Sequence, residues 1–178
     1  KFESWSDQQT PQKDGVGWGE GKEPKLIKGP DIFIKTVKKL SNHFNLFILL
    51  TGPARGYVKR ELDKMNIPYR HKHVDSYFEL TDYYRALDVY LVASREEGGP
   101  KAILESIASG IPIVTTNVGM ATDIITDGTD GYIAPVEDYK KLSDILGELL
   151  SSSKKRKNIN LNALKIINKY DWQNIAEE

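Results

Sequence analysis

The chain has 178 residues, with 25 Lys and Arg against 25 Asp and Glu, three His and no Cys. That length reads as one domain, long enough to bury a real core. The balanced charge argues against a nucleic-acid module, and the missing cysteine excludes disulfides, thiolate metal sites and cysteine nucleophiles. No apolar run approaches the ~20 residues of a membrane span, and the polar start carries no signal-peptide core. A cytoplasmic location is the expectation, since cysteine-free chains suit reducing compartments. The opening Lys1-Phe2-Glu3, without Met, reads as a piece of a longer protein.

In chain order, residues 2–5 are a weakly marked first strand. A polar, glycine-rich loop follows over 7–28, and long loops in compact domains are often functional. Ile32, Phe33, Ile34, Val37 and Leu40 carry helical spacing over 31–40, with Asp31 contributing to its N-terminal cap. The apolar run 46–50 reads as a buried parallel strand ended by Gly52-Pro53. Residues 57–65 form a helix, 68–74 a strand, 81–87 a short helix and 89–93 a fourth strand. A helix over 101–109 ends with Gly110 at its C′ position. Then come a strand over 111–116, a short helix over 121–125, a short strand over 131–134, and helices over 140–150 and 158–169. Strands alternating with helices predict an α/β fold: a Rossmann-like, doubly wound, parallel six-stranded sheet with helices on both faces. In strand order 3-2-1-4-5-6, the switch point lies between strands one and four, where such sheets bind ligands.

Two acids, Glu97 and Glu105, stand eight positions apart around Gly98, Gly99, Pro100, Lys101 and Ala102. The glycines let backbone approach a ligand closely, and Pro100 presets φ for the helix. The helix's unpaired N–H groups favour a phosphate. Lys28, at the end of the long loop, adds a full positive charge. Glu105 is placed to accept from a ribose diol, and Glu97 from the hydroxyls of a sugar. A nucleotide-activated sugar has diphosphate in its middle and hydroxyls at both ends, which suits this arrangement.

The run from Glu97 to Glu105 resembles the Glu-x7-Glu motif of retaining GT-B glycosyltransferases. The stretch SREEGGPKAILESIASGIPIVTTNVGMATDIITDGTDGYIAP, residues 94–135, is similar to glycosyltransferase family 4 (group 1). So are Lys28-Gly29, the passage Tyr84-Arg85-Ala86-Leu87-Asp88-Val89, and Tyr170-Asp171-Trp172 near the C-terminus. The resemblance implies the C-terminal, donor-binding domain of a GT-B fold, with residues 1–178 as the nucleotide-sugar-binding domain and an N-terminal acceptor domain outside this chain. It implies a retaining, hexosyltransferase-type enzyme of polysaccharide or glycolipid biosynthesis, inactive as this piece alone. Lys28 would bind the donor diphosphate and Glu97 the donor sugar, as the catalytic pair. Glu105 would hold the ribose, with Gly98, Gly99, Pro100, Lys101 and Ala102 around sugar and phosphate. No metal or other cofactor is implied. The family's Gly-Arg after the first strand is missing, and Lys13 stands as its replacement. At Asp123 the family often has Glu. The alternatives are a sugar-nucleotide epimerase or phosphorylase, and a stand-alone nucleotide-sugar-binding module.

Other features have plainer readings. The glycines at 15, 17, 19 and 21 read as a flexible loop. His71 and His73 alternate along a strand without a third metal ligand. Tyr83, Tyr84 and Tyr90 read as packing residues, and 75–78 as a loop near the nucleobase. Lys154-Lys155-Arg156-Lys157 is a solvated helix start or a turn or, functionally, a peripheral contact with anionic lipid at the inner membrane face.

Overall fold

A computed structural model describes residues 2–4, 20–74, 76–99 and 101–170, the side chains of 2–4, 77 and 78 excepted. Six parallel strands form one sheet in the order β3-β2-β1-β4-β5-β6. They are β1 (Phe2–Ser4), β2 (Ile48–Thr51), β3 (Tyr69–Lys72), β4 (Val89–Val92), β5 (Ile113–Thr116) and β6 (Tyr132–Ala134). This is the doubly wound order the sequence predicts, with β1 paired to β4 at the switch point.

The alternation of side chains along each strand divides the core into two layers. Ile48 and Leu50 of β2 and Val89 and Leu91 of β4 face one layer. That layer holds α1 (Pro30–Ser41), α2 (Gly56–Lys64) and α6 (Tyr139–Ser151), which bury Phe33, Val37, Leu62, Leu142 and Leu146 against the sheet. Leu49, Tyr90, Val92 and Ile113 face the other, which holds α3 (Tyr77–Arg85), α4 (Lys101–Ala108) and α5 (Ala121–Ile124). Burial on both faces is why β2 and β4 lie in continuous apolar runs, and β5 stays buried even through Thr115 and Thr116.

Three boundaries differ from expectation. Asp31 does not cap α1: Gly29 occupies the N-cap in a left-handed conformation and Pro30 opens the helix. Asp31 sits in the first turn, bound to Arg95. Helix α3 starts at Tyr77, four positions before the expected Thr81. The last long helix, α7 (Ser153–Ile166), includes the basic run, because the Ser152 hydroxyl accepts from the Lys155 N–H at 3.2 Å and caps it early. Gly110 does end α4 as expected. Its φ is +74°, Gly110 N–H donates to Ile107 O and Ile111 N–H to Ser106 O, the paired bonds of a Schellman turn.

Candidate functional site

The site starts from a close approach of backbone to backbone. A short 3-10 turn, Leu26–Lys28, runs into Gly29, whose φ is +64°. A Cβ on Gly29 would lie 1.8 Å from the Ala93 carbonyl oxygen at the end of β4. Only glycine permits this contact. Its consequence is that Lys28, 7% exposed, is held directly against the loop that leaves β4. The Arg95 N–H donates to Ile27 O at 2.8 Å, so the two segments are also joined by backbone.

The first acid is gripped from two sides. Lys28 Nζ donates to Glu97 Oε2 at 2.7 Å, and Ser94 Oγ donates to Glu97 Oε1 at 2.7 Å. The Lys28 and Glu97 side chains are 8% and 11% exposed, so this is a buried ion pair. Ser94 is itself fully buried, and its carbonyl accepts from Thr116 Oγ1 at 2.6 Å. The second acid, Glu105, lies one turn into α4, half-buried, and Tyr84 OH donates to its Oε2 at 3.0 Å.

Between the acids, Gly98 and Gly99 are exposed. A Cβ on Gly98 would meet no described protein atom within 4 Å, and one on Gly99 would touch Met120 Sδ at 3.4 Å. The Glu97 and Gly98 carbonyls pack on Gly119, in the loop after β5. Lys101 opens α4 at the surface, and Ala102 is buried behind it. Pro100 and Lys13, both singled out from the sequence, lie outside the described residues, as do glycines 15, 17 and 19, Asp75 and the pair Asp171-Trp172.

Arg95, not singled out from the sequence, ties the site's backbone together. Its Nη1 and Nη2 donate to the two Asp31 oxygens at 2.8 and 2.9 Å, its Nε to Glu137 Oε1 at 2.7 Å, and Nη1 also to Leu26 O. Burial pushes the Asp31 carboxyl up, but hydrogen bonds and charge from Arg95 outweigh it and hold the group below its ordinary range. The hydrogen bonds to Asp31 raise Arg95 in turn. The planar fork of arginine suits this two-oxygen grip. Ser94 and Arg95 stand three and two positions ahead of Glu97, so their closeness to the acidic motif was the available signal. No spacing rule points from Tyr84 to Glu105, 21 positions on.

Other candidates resolve differently. Gly21 is not part of a flexible loop: Gly56 and Tyr57 N–H donate to the Glu20 and Gly21 carbonyls, and a Cβ on Gly21 would collide with Ala54. His71 Nε2 donates to the Gly52 carbonyl at 2.7 Å, and burial pushes its pKa down. Among the described residues no cluster of three or more His, Asp or Glu is placed to hold a metal. Tyr84 and Tyr90 are packed core residues, with ring centroids 5.3 Å apart, but Tyr84 does more than pack. In the basic run, Arg156 Nη1 donates to the last carbonyls of α6 at Leu149 and Leu150, and Lys155 pairs with Glu148. Two of the four charges thus serve helix ends and neighbours. No described helix is long and apolar enough to cross a membrane. A cavity of ≈ 530 Å³ opens between β3 and α2, lined by Lys22, Arg55, Lys59, Arg60 and His71, and none of the predicted site residues lines it.

The fold is a doubly wound parallel α/β domain, with Glu97 and Glu105 following the fourth strand. Comparison with known proteins narrows this: residues 24–166 match the family model "Glycosyl transferases group 1", and the chain belongs to that family. It is 28% identical over 159 residues to a D-inositol 3-phosphate glycosyltransferase of Xylanimonas cellulosilytica, covering 85% of this chain and 38% of the relative. It is 27% identical over 157 residues to protein CapJ of Staphylococcus aureus, covering 85% and 39%. The chain thus spans about two-fifths of the length of these curated relatives. Among solved structures, the C-terminal domain of a group 1 glycosyl transferase (LpcC) from Francisella tularensis superposes with a TM-score of 0.73 at 25% identity, covering 84% of this chain and 83% of that one. Anabaena HepE in complex with UDP-glucose gives a TM-score of 0.76 at 19% identity, covering 99% and 47%, which speaks for the fold. The architecture is that of a GT-B C-terminal domain.

Proposed function

We propose that residues 1–178 are the donor-binding half of a retaining glycosyltransferase that moves a hexose from a nucleoside diphosphate sugar to a hydroxyl acceptor. The observation that carries this reading is the Lys28–Glu97 ion pair at the β1/β4 switch point, with Glu105 one turn further into α4. A charged pair buried this deeply is weak evidence for stability, since an apolar pair of similar size is often as good. A ligand that brings its own negative phosphate and its own hydroxyl donors gives both groups a use. In this reading Lys28 leaves Glu97 for the diphosphate, Glu97 accepts from sugar hydroxyls, and Glu105 accepts from the ribose. A Cβ on Gly98 would meet no described protein atom within 4 Å, which supports close passage of the donor there. Lys28 and the N–H groups of α4 supply the positive field, so binding needs no metal. Acceptor selection belongs to a preceding domain, and the chain alone lacks half the cleft. Exposed Lys154 and Lys157 leave room for contact with anionic lipid near a lipid-linked acceptor.

The test is calorimetric titration of the folded chain with a panel of nucleoside diphosphates and their sugar conjugates, with and without EDTA. At least one conjugate binds, and EDTA changes nothing. Glu105→Ala weakens the nucleotide and its conjugate alike, whereas Glu97→Ala erases the preference for the conjugate. A folded chain that binds none of the panel refutes the reading. Product analysis on the full-length parent separates transfer with retention from epimerisation or phosphorolysis.

A further inference from the structure

Tyr84 stands in the core of the α3/α4 layer, 2% exposed, on the last turn of α3. Its ring lies against Tyr90 of β4, centroids 5.3 Å apart and planes inclined by 54°. Packing alone would be satisfied by phenylalanine. The hydroxyl instead reaches across to α4 and donates to Glu105 Oε2 at 3.0 Å. Glu105 comes from a half-buried position on a helix of only eight residues, Lys101–Ala108. A glutamate there has three side-chain torsions to fix before it can accept from a rigid diol. A phenol held by core packing fixes them in advance, at no cost in charge, because tyrosine donates while neutral.

We infer that Tyr84 is a positioning residue for ribose recognition: its buried hydroxyl presets the Glu105 carboxylate to accept from the 2′ and 3′ hydroxyls of a nucleoside diphosphate. The inference rests on the donor-binding reading above and deepens it. It makes the selectivity of this chain for ribose over deoxyribose a property of a residue that never touches the ligand. The physical basis is preorganisation, in which ordering is completed before the ligand arrives and is not charged against binding. Ser94 stands in the same relation to Glu97, with a buried hydroxyl on one carboxylate oxygen, so both acids of the motif are set from behind by neutral donors.

The experiment uses the 178-residue chain, the best-binding nucleoside diphosphate of the panel and its 2′,3′-dideoxy analogue. Tyr84→Phe keeps the ring and removes one oxygen. Expected is a 3- to 10-fold loss of affinity for the ribonucleotide with less than a twofold change for the dideoxy analogue. In the background of Glu105→Ala, the same substitution changes neither affinity. Equal losses for both nucleotides would show that Tyr84 supports only the fold and would overturn the inference. So would an unchanged ribonucleotide affinity. Failure of the wild-type chain to bind any nucleotide is a different result: it refutes the donor-binding reading, and the inference with it.

Discussion

Removing the charge of Lys28 probes both the stability and the purpose of the site. In Lys28→Met the Glu97 carboxylate keeps its bond from Ser94 but loses its countercharge in a place where the two side chains are 8% and 11% exposed. Breaking a buried pair from one side costs about 3–5 kcal/mol. The surviving Ser94 bond puts this case near the lower end, about 3 kcal/mol. For a chain of this size that lowers the melting midpoint by about 6–12 °C. Glu97→Gln leaves the ammonium facing an amide oxygen and costs about 2 kcal/mol. The double variant Lys28→Met/Glu97→Gln buries no charge, and its amide oxygen still accepts from Ser94, so it falls within about 1 kcal/mol of wild type.

The cycle therefore has a coupling of at least about 4 kcal/mol, the sum of the two single losses less what the double variant still loses, read from urea or thermal unfolding of the four proteins. Single effects that add to within about 0.5 kcal/mol would refute the pair. The same four proteins separate stability from use. The double variant, restored in stability, still binds a nucleoside diphosphate about 10- to 100-fold more weakly than wild type, since a charge-assisted bond to phosphate is lost. A double variant that binds like wild type would remove Lys28 from the site.

Three further outcomes follow from the geometry. Gly29→Ala and Gly110→Ala both force a side chain into left-handed backbone, at about 1–2 kcal/mol; the Gly110 variant stops there, because its Cβ meets no described atom within 4 Å, while the Gly29 variant also drives its Cβ into the Ala93 carbonyl and costs more. Equal melting midpoints for the two would contradict the close approach at Gly29. Asp31, held below its ordinary range by Arg95, gives stability that is present above about pH 4 and lost as pH falls through its lower folded value; in denaturation at stepped pH, the deficit of Asp31→Asn against wild type shrinks below that point. His71, held neutral by burial, makes the fold lose stability as pH falls from about 6.5 through its depressed folded value, and His71→Gln flattens that slope between pH 7 and 5.

The sheet was legible because its signals are local. Continuous apolar runs at β2 and β4 and a β-branched run at β5, each followed by a turn and a helical spacing, leave few arrangements for a parallel sheet, and Gly110 marks a helix end by itself. The start of α3 was not legible, because Ser76 makes no side-chain cap and no spacing rule marked Tyr77 as its first residue. The expected start of α7 at 158 fell five positions late, because the Ser152 cap and the Arg156 bonds to the carbonyl end of α6 exist only in the fold.

The motif acids were legible from type and spacing, but what holds them was not. Lys28 meets Glu97 across 69 positions, Arg95 meets Asp31 across 64, and Tyr84 meets Glu105 across 21. Each of these contacts exists only because the sheet order puts β1 beside β4 and folds α3 and α4 onto the same face. The acids sit on a loop and a short helix, elements that by themselves position side chains loosely. Their precision comes from behind, from a lysine seated by a glycine contact, a serine at a strand end and a tyrosine in the core. Substitution of the supporting groups should therefore loosen selectivity before it abolishes binding, whereas substitution of the acids removes the contact itself. That ordering of effects distinguishes a preset site from two acids that merely share a surface.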